Sequence, residues 1–338
     1  MRDASGFSLL ILRISARTRF LPNNVLNPRK LTYHEPGLQG EINAYDFERA
    51  TVKKTTTSGP ALVSRLRRIE GRQNALVKEL RGAFAHGELT PDGYCAIEGM
   101  RILEEAIRSG LKFKAVFFRA SAENWAERLL PQLAAHVETL LLPDKLFASA
   151  VPSETPQGVA ALVRCRTFKA EDVLAKSQTG PLLAIAGVQD PGNLGTILRS
   201  AEAFGAGGVL LGEGTVSPFN SKVVRASAGS VFRLPIVQAK LPGILDQMRE
   251  LGLRLIATSS HKGTPLDQAK LTGPLAIFIG SEGAGLPRDL LAEMTEMVAI
   301  PHSPAVESLN AGVAASILLY EAARQGAHHR DTEPQRNQ

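Results

Sequence analysis

Residues 181–206 read PLLAIAGVQDPGNLGTILRSAEAFGA, and the division of this stretch decides the fold. The apolar run at 181–188 has the length of a buried strand. Pro191 and Gly192 mark a tight turn. Leu194, Ile197, Leu198, Ala201 and Phe204 then recur at helical spacing, and Gly205 closes the pattern. A strand, a polar turn and a helix make the ligand-facing edge of an open parallel sheet. An ordinary β–α connection with a surface arginine reads the same way, so this stretch alone leaves both open.

Downstream the alternation continues. GGVLLG (207–212), RLPIV (233–237), LRLIATS (253–259), LAIFIG (275–280) and MVAIP (297–301) are strand-like, separated by helix-like or turn-rich stretches. Strands apolar on both faces and joined by helices predict a parallel α/β sheet, here over 180–326. Upstream, SRLRRIEGRQNALVKELRGAFA (64–85) reads as a helix with basic residues beside an apolar stripe. YCAIEGMRILEEAIRSG (94–110) reads as a strand and a helix, KAVFFRA and ETLLLP as strands flanking a helix, and PDKLFASAV and QGVAALVRC complete a smaller α/β unit over 61–166. TFKAEDVLAKSQTG (167–180) reads as a linker. Residues 1–60 lack sustained periodicity and predict a mostly disordered extension, and 327–338 a polar tail. His328 and His329 in that tail read as a solvated pair rather than metal ligands.

The chain of 338 residues carries +6, unevenly: 1–166 hold twenty-four Lys/Arg against seventeen Asp/Glu, and 167–338 hold fifteen against sixteen. A basic N-terminal half suggests a polyanion partner, as nucleic acid would be. The two cysteines, Cys95 and Cys165, are too few for a metal cluster or a disulfide framework and fit a reducing, cytoplasmic compartment. No apolar run approaches the ~20 residues of a membrane span. FSLLILRI (7–14) is short for a signal core and is followed by Arg17 and Arg19 instead of a cleavage site.

Two further loops follow strands of the large unit. IGSEGAGLP (279–287) places Gly280, Gly283 and Gly285 where a backbone approaches a ligand closely, with one carboxylate, Glu282. Its spacing is neither the G-x-G-x-x-G of a dinucleotide site nor a G-K-[ST] phosphate loop, which argues against a nicotinamide-dependent oxidoreductase. In AIPHSPAVESLNAGVAASILLYEAARQ (299–325), Ser308 stands where a helix N-cap is expected, and Ala311, Gly312, Ala314, Ala315 and Ser316 give the helix a slim face suited to close packing.

With these loops in view, the sequence resembles the SpoU family of RNA ribose 2′-O-methyltransferases, within the SPOUT superfamily. Asn193 followed by Arg199 matches the family's first motif. Gly280, Glu282 and Gly285 match its G-x-E-x-x-G second motif. Ile300, Pro301, Ser308, Leu309 and Asn310 match the third. KVVRASAGSVFRLPI (222–236) is similar to the family's intervening segment. Ala311-Gly312 departs from the more usual Val-Ser, which bears on helix packing. The region 61–163 resembles the family's N-terminal RNA substrate-binding domain, a ribosomal-protein-like α/β fold; residues 1–60 lie outside this resemblance.

The resemblance implies a knotted C-terminal domain and methyl transfer from S-adenosylmethionine to a ribose 2′-hydroxyl of RNA, ribosomal RNA of the large subunit before transfer RNA. The remaining alternative is a non-enzymatic RNA-binding paralogue, against which the intact motif residues argue. The resemblance further implies a homodimer and Arg199 as the catalytic residue. No metal is expected, because no His/Cys/Asp cluster has the spacing of a metal site. A guanidinium of pKa above about 12 rarely loses a proton. Gripping the target phosphate and stabilising developing charge is therefore favoured over acting as an unusual base. Asn193 would orient Arg199 or the ribose, Glu282 would position Arg199 or the substrate, and Ser308 and Asn310 would shape the ribose pocket. The cofactor would lie near Thr258, Gly280, Ile300 and Leu309, held largely by main chain.

Overall fold

The computed structural model describes residues 30–35, 38–43, 65–153 and 156–332. Two compact units divide the chain, 1–61 and 62–338. In the first, β1 (Lys30–Glu35) and β2 (Leu38–Asn43) pair as an antiparallel hairpin, where the sequence predicts no regular element. The rest of 1–60, including the apolar stretch 7–14, lies outside the described residues.

The second unit opens with β3 (Arg67–Arg68), α1 (Ala75–His86), β4 (Tyr94–Glu98), α2 (Met100–Arg108), β5 (Lys112–Arg119), α3 (Asn124–Leu129), β6 (Glu138–Leu142), α4 (Asp144–Ala150) and β7 (Val159–Arg164). The strands form a mixed five-stranded sheet in the order β3-β6-β5-β7-β4. Alternation along β5 serves two cores: Ala115 and Phe117 pack with Leu80 and Phe147 on one face, while Val116 and Phe118 pack with Leu103 and Leu129 on the other. The helix expected over 64–85 begins only at Ala75. Asn74 Oδ1 accepts from the N–H groups of Leu76 and Val77, an N-cap that fixes the start. Arg67 and Arg68 are extended instead, alongside Leu140 and Leu141 of β6.

The expected linker holds α5 (Ala170–Leu174), whose Val173 and Leu174 are buried. Then follow β8 (Leu182–Ile185), α6 (Pro191–Ala203), β9 (Gly208–Leu211), α7 (Ser221–Ala226), β10 (Ile236–Gln238), α8 (Leu245–Glu250), β11 (Arg254–Ser259), β12 (Thr264–Pro265), β13 (Leu275–Ile279), α9 (Arg288–Ala292), β14 (Glu296–Ala299) and α10 (Ala311–Thr332). The seven strands lie in the order β10-β9-β8-β13-β11-β14-β12, every pairing parallel. Burial on both faces explains the unbroken apolar runs: Leu183 and Ile185 of β8 join one core, Leu182 and Ala184 the other. Helix α10 continues to Thr332, into the segment read from sequence as a tail.

Helices α6 and α10 run side by side on one face. Ser200 and Ser316 share a hydrogen bond of 2.7 Å, and Phe204 meets Tyr320 edge-on at 5.8 Å. A Cβ on Gly312 would approach Thr196 Cβ to 3.1 Å, so part of the slim face is used within the chain. On the other flank of α6, a Cβ on Gly195 would meet Ala226 of α7 at 2.4 Å. One hydrophobic core passes from β4 and β7 of the small sheet, through α7, to α6 and β8 of the large one.

Candidate active site

The loops following β8, β11, β13 and β14 leave the same carboxyl edge of the parallel sheet, where ligands of open α/β folds sit. Residues 190–192 prove to be the first turn of α6 and not a separate turn. Pro191 occupies a position that needs no N–H, and Asp190 is the N-cap, its Oδ1 accepting from Asn193 N at 2.7 Å. Asn193 is thus held in the first turn with its side chain free to reach sideways.

That side chain joins all three loops. Asn193 Nδ2 donates to Glu282 Oε1, and Asn310 Nδ2 donates to Asn193 Oδ1 at 2.8 Å. Asn310 Oδ1 accepts from Val313 N at 3.2 Å and so caps α10. The cap is Asn310, not Ser308 as its spacing suggests. Each amide is oriented by its own network: one Asn193 N–H and one Asn193 lone pair remain available, as does Glu282 Oε2. The carboxylate of Glu282 therefore has a partner other than a helix cap.

Beside this chain lies a cavity of about 340 Å³, within the range of small-molecule sites. Thr258, Gly280, Ile300 and Leu309, the four residues expected at the cofactor, all line it, with Glu282 and Ser308. Thr258 Oγ1 donates to Phe278 O at 3.0 Å, leaving its methyl for the cavity wall. Gly280 is required by its own loop: a Cβ there would lie 2.1 Å from the carbonyl carbon of Gly285 and 2.3 Å from Leu286 N. Ser281 and Gly285 close that loop with reciprocal backbone bonds of 3.1 and 3.0 Å, and Gly285 has φ of +67°. Gly283 has nothing within 4 Å and is not confined in this way.

Sequence reasoning passed over His302. Its ring lines the cavity, Nδ1 donates to Ile300 O at 2.7 Å, and Nε2 is buried with no hydrogen-bond partner. Its place immediately after Ile300-Pro301 is the signal that marks it. Among the described residues no group of three His, Cys, Asp or Glu is placed to hold a metal ion, and no helix is long and apolar enough to cross a membrane.

Arg199 stands apart from this network. It is exposed on α6, without a hydrogen bond or ion pair among the described residues. Six residues of helix turn it away from Asn193, so neither Asn193 nor Glu282 orients it within the chain. Its side of α6 also presents Thr196 and Ala203, next to exposed Val313 and Tyr320 of α10.

With the geometry in place, comparison with known proteins is specific. Residues 181–320 match the SpoU rRNA Methylase family, and 74–161 the MRM3-like substrate binding domain. The 23S rRNA (guanosine(2553)-2′-O)-methyltransferase RlmP of Bacillus subtilis is 32% identical over 255 residues, 75% of this chain and 98% of that protein. The AdoMet-bound rRNA methyltransferase from Sinorhizobium meliloti superposes with a TM-score of 0.65 at 28% identity, over 77% of this chain and 98% of that one. The SpoU methyltransferase AviRb from Streptomyces viridochromogenes, in complex with AdoMet, gives 0.66 at 26% identity, over 78% and 100%. The fold is accordingly that of the SPOUT methyltransferases, preceded by a substrate-binding domain. Three loops tied through one asparagine, beside a cavity at the edge of a parallel sheet, thus belong to a chain that is a member of the SpoU rRNA methylase family.

Proposed function

We propose that the protein transfers a methyl group from S-adenosylmethionine to a ribose 2′-hydroxyl of large-subunit ribosomal RNA. The observation that carries this is the Glu282–Asn193–Asn310 chain, which fixes three loops around the cavity. The cavity suits the cofactor. Ile279, Leu286, Ile300 and Leu309 offer apolar walls for an adenine, loop backbone supplies donors and acceptors, and the buried His302 Nε2 is an acceptor still lacking a donor. Glu282 is the carboxylate for a cationic ligand. When bound, the cofactor supplies an electrophilic methyl group.

The residues of this chain do the rest. The remaining N–H and lone pair of Asn193 orient the ribose, and Glu282 Oε2 accepts from a ligand donor. Because Arg199 is turned away from Asn193 of its own chain, it would serve a ribose held by a second copy of the chain. There it binds the adjacent phosphate and offsets the charge growing on the attacking oxygen as the hydroxyl proton passes to solvent, a role its fixed charge and planar fork suit. The basic small domain, residues 61–166, captures structured RNA through its phosphates and shape, and 180–326 do the chemistry. The trefoil knot implied by family resemblance belongs to this reading: α10 returns to pack on α6, and segments 258–262, 279–286 and 300–309 line one cavity. The cytoplasm is the compartment where such an RNA is met.

A homodimer completes the proposal. The outward side of the α6–α10 pair carries Val313 and Tyr320, 46% and 54% exposed, in line with Arg199. A second copy on this face would bring Arg199 to the interface. Tyr320→Glu is expected to shift sedimentation from dimer to monomer and to lower methylation more than tenfold; a monodisperse dimer in the variant rejects the placement.

The central test incubates the protein with protein-free 23S rRNA, with transfer RNA and with labelled S-adenosylmethionine, then maps the modified nucleotide. A single 2′-O-methylribose in 23S rRNA is the expected result. Label in transfer RNA alone would reassign the substrate, and cofactor binding without transfer would leave an RNA-binding paralogue.

A further inference from the structure

Arg233 follows the short turn after α7 and reaches across the junction between the two sheets. Its Nε and Nη2 grip both oxygens of Glu202, the Nη2 bond measuring 2.8 Å. Nη1 points the other way and donates to Ser109 Oγ at 3.0 Å and Glu105 Oε2 at 3.2 Å. Glu202 lies on α6, one turn beyond Arg199. Glu105 and Ser109 lie at the C-terminal end of α2, in the small domain. One guanidinium therefore joins the helix bearing Arg199 to a helix of the RNA-binding sheet, using the fork that lysine lacks.

The surroundings are built around this contact. A Cβ on Gly229, whose φ is +86°, would lie 2.9 Å from Glu105 Cβ, so α2 approaches closely only because residue 229 is glycine. Arg225 of α7 stands 3.7 Å from Glu98, which is itself buried at the end of β4. Cys95 Sγ points at Phe219 O, at 3.8 Å. Hydrogen bonding to Arg233 holds the Glu202 carboxyl below the usual range, so the grip stays charged at neutral pH. Domains within one chain move relative to each other by default unless their interface is extensive; here a shared apolar core and two ion pairs oppose that motion.

We infer that Arg233 is a positioning residue that latches the small domain onto the Arg199-bearing helix, so that RNA captured by one is presented in fixed register to the other. This rests on the proposed methyl transfer. Register matters because misplacement of about 1 Å can cost on the order of 10²-fold in rate.

The two halves of the latch are separable. Glu105→Ala with Ser109→Ala cuts the interdomain half and leaves the Glu202 half in place, losing besides only the Arg108–Glu105 pair within α2. Arg233→Ala cuts both. With full-length protein, 23S rRNA and labelled S-adenosylmethionine, both variants should lose tenfold or more in single-turnover methylation at saturating RNA. Cofactor affinity by calorimetry should stay within twofold. Arg233→Lys should recover part of the loss. The triple variant should be no slower than Arg233→Ala, since all three changes break one contact. Independently of activity, amide exchange at α2 and α6 should rise in both variants. Wild-type methylation rates in Arg233→Ala, or unchanged exchange, would overturn the latch. Should the wild-type protein transfer no methyl group to any RNA, the proposed function fails, while exchange still decides whether the domains are latched.

Discussion

Replacing Arg199 by alanine is expected to slow methyl transfer by about 10²–10³-fold, the loss that follows removal of one charge-stabilising donor. Cofactor affinity should remain within twofold. The division follows from placement: Arg199 is exposed on α6 and does not line the cavity, whose walls come mainly from the loops after β11, β13 and β14 and the first turns of α10. Arg199→Lys distinguishes the manner of action. Lysine keeps the charge but loses the fork, so bidentate phosphate gripping should lose most activity and simple charge stabilisation retain some. Calorimetry beside single-turnover methylation reads both quantities. Weakening of cofactor binding in proportion to rate would move Arg199 to the cofactor side.

Gly280→Ala is expected to be among the most damaging single-methyl additions in the protein. The added Cβ would meet only backbone, at 2.1 to 2.4 Å from Gly285 and Leu286. Overpacking usually costs about 1–3 kcal/mol when side chains can yield. Here the loop itself must open, so a loss of about 3 kcal/mol or more is expected, with loss of cofactor binding. Gly283→Ala, three residues on with nothing within 4 Å, is the matched control for folding and should stay near wild type in thermal unfolding. Equal behaviour of the two variants in thermal unfolding would show that the close crossing at Gly280 does not exist in solution.

Much of this architecture is legible in the sequence because parallel strands buried on both faces leave unbroken apolar runs. All six strand-like runs from LLAI to MVA became strands of one sheet. The two-residue strands β3 and β12 carry no such signal, since their pairing depends wholly on a neighbour already in place. Local capping was read less well. Ser308 and Asn310 are both good N-cap residues, and only the Asn310–Val313 bond tells which one starts the helix. The three loops stand out by their turn, glycine and cap residues and the family resemblance assigns their roles, whereas their meeting point is a tertiary fact. Glu282 and Asn310 lie 89 and 117 residues from Asn193, beyond the reach of any periodicity. The Arg233 latch is invisible for the same reason: Arg233 opens a strand-like run at 233–237, Glu105 and Ser109 lie in a helix-like stretch more than a hundred residues earlier, and nothing local links them.

The strand order also sets when the enzyme can exist. Leu182 of β8 pairs on one side with Gly208, made soon afterwards, and on the other with Ala276, made far later. The middle of the sheet thus stays an unpaired edge until Leu275–Ile279 have been made. Asn193 cannot receive Asn310 until the penultimate segment has left the ribosome. Such non-local pairing folds slowly and exposes apolar edges meanwhile. A nascent chain would accordingly complete its small domain early and carry it, folded but without chemistry, until α10 arrives.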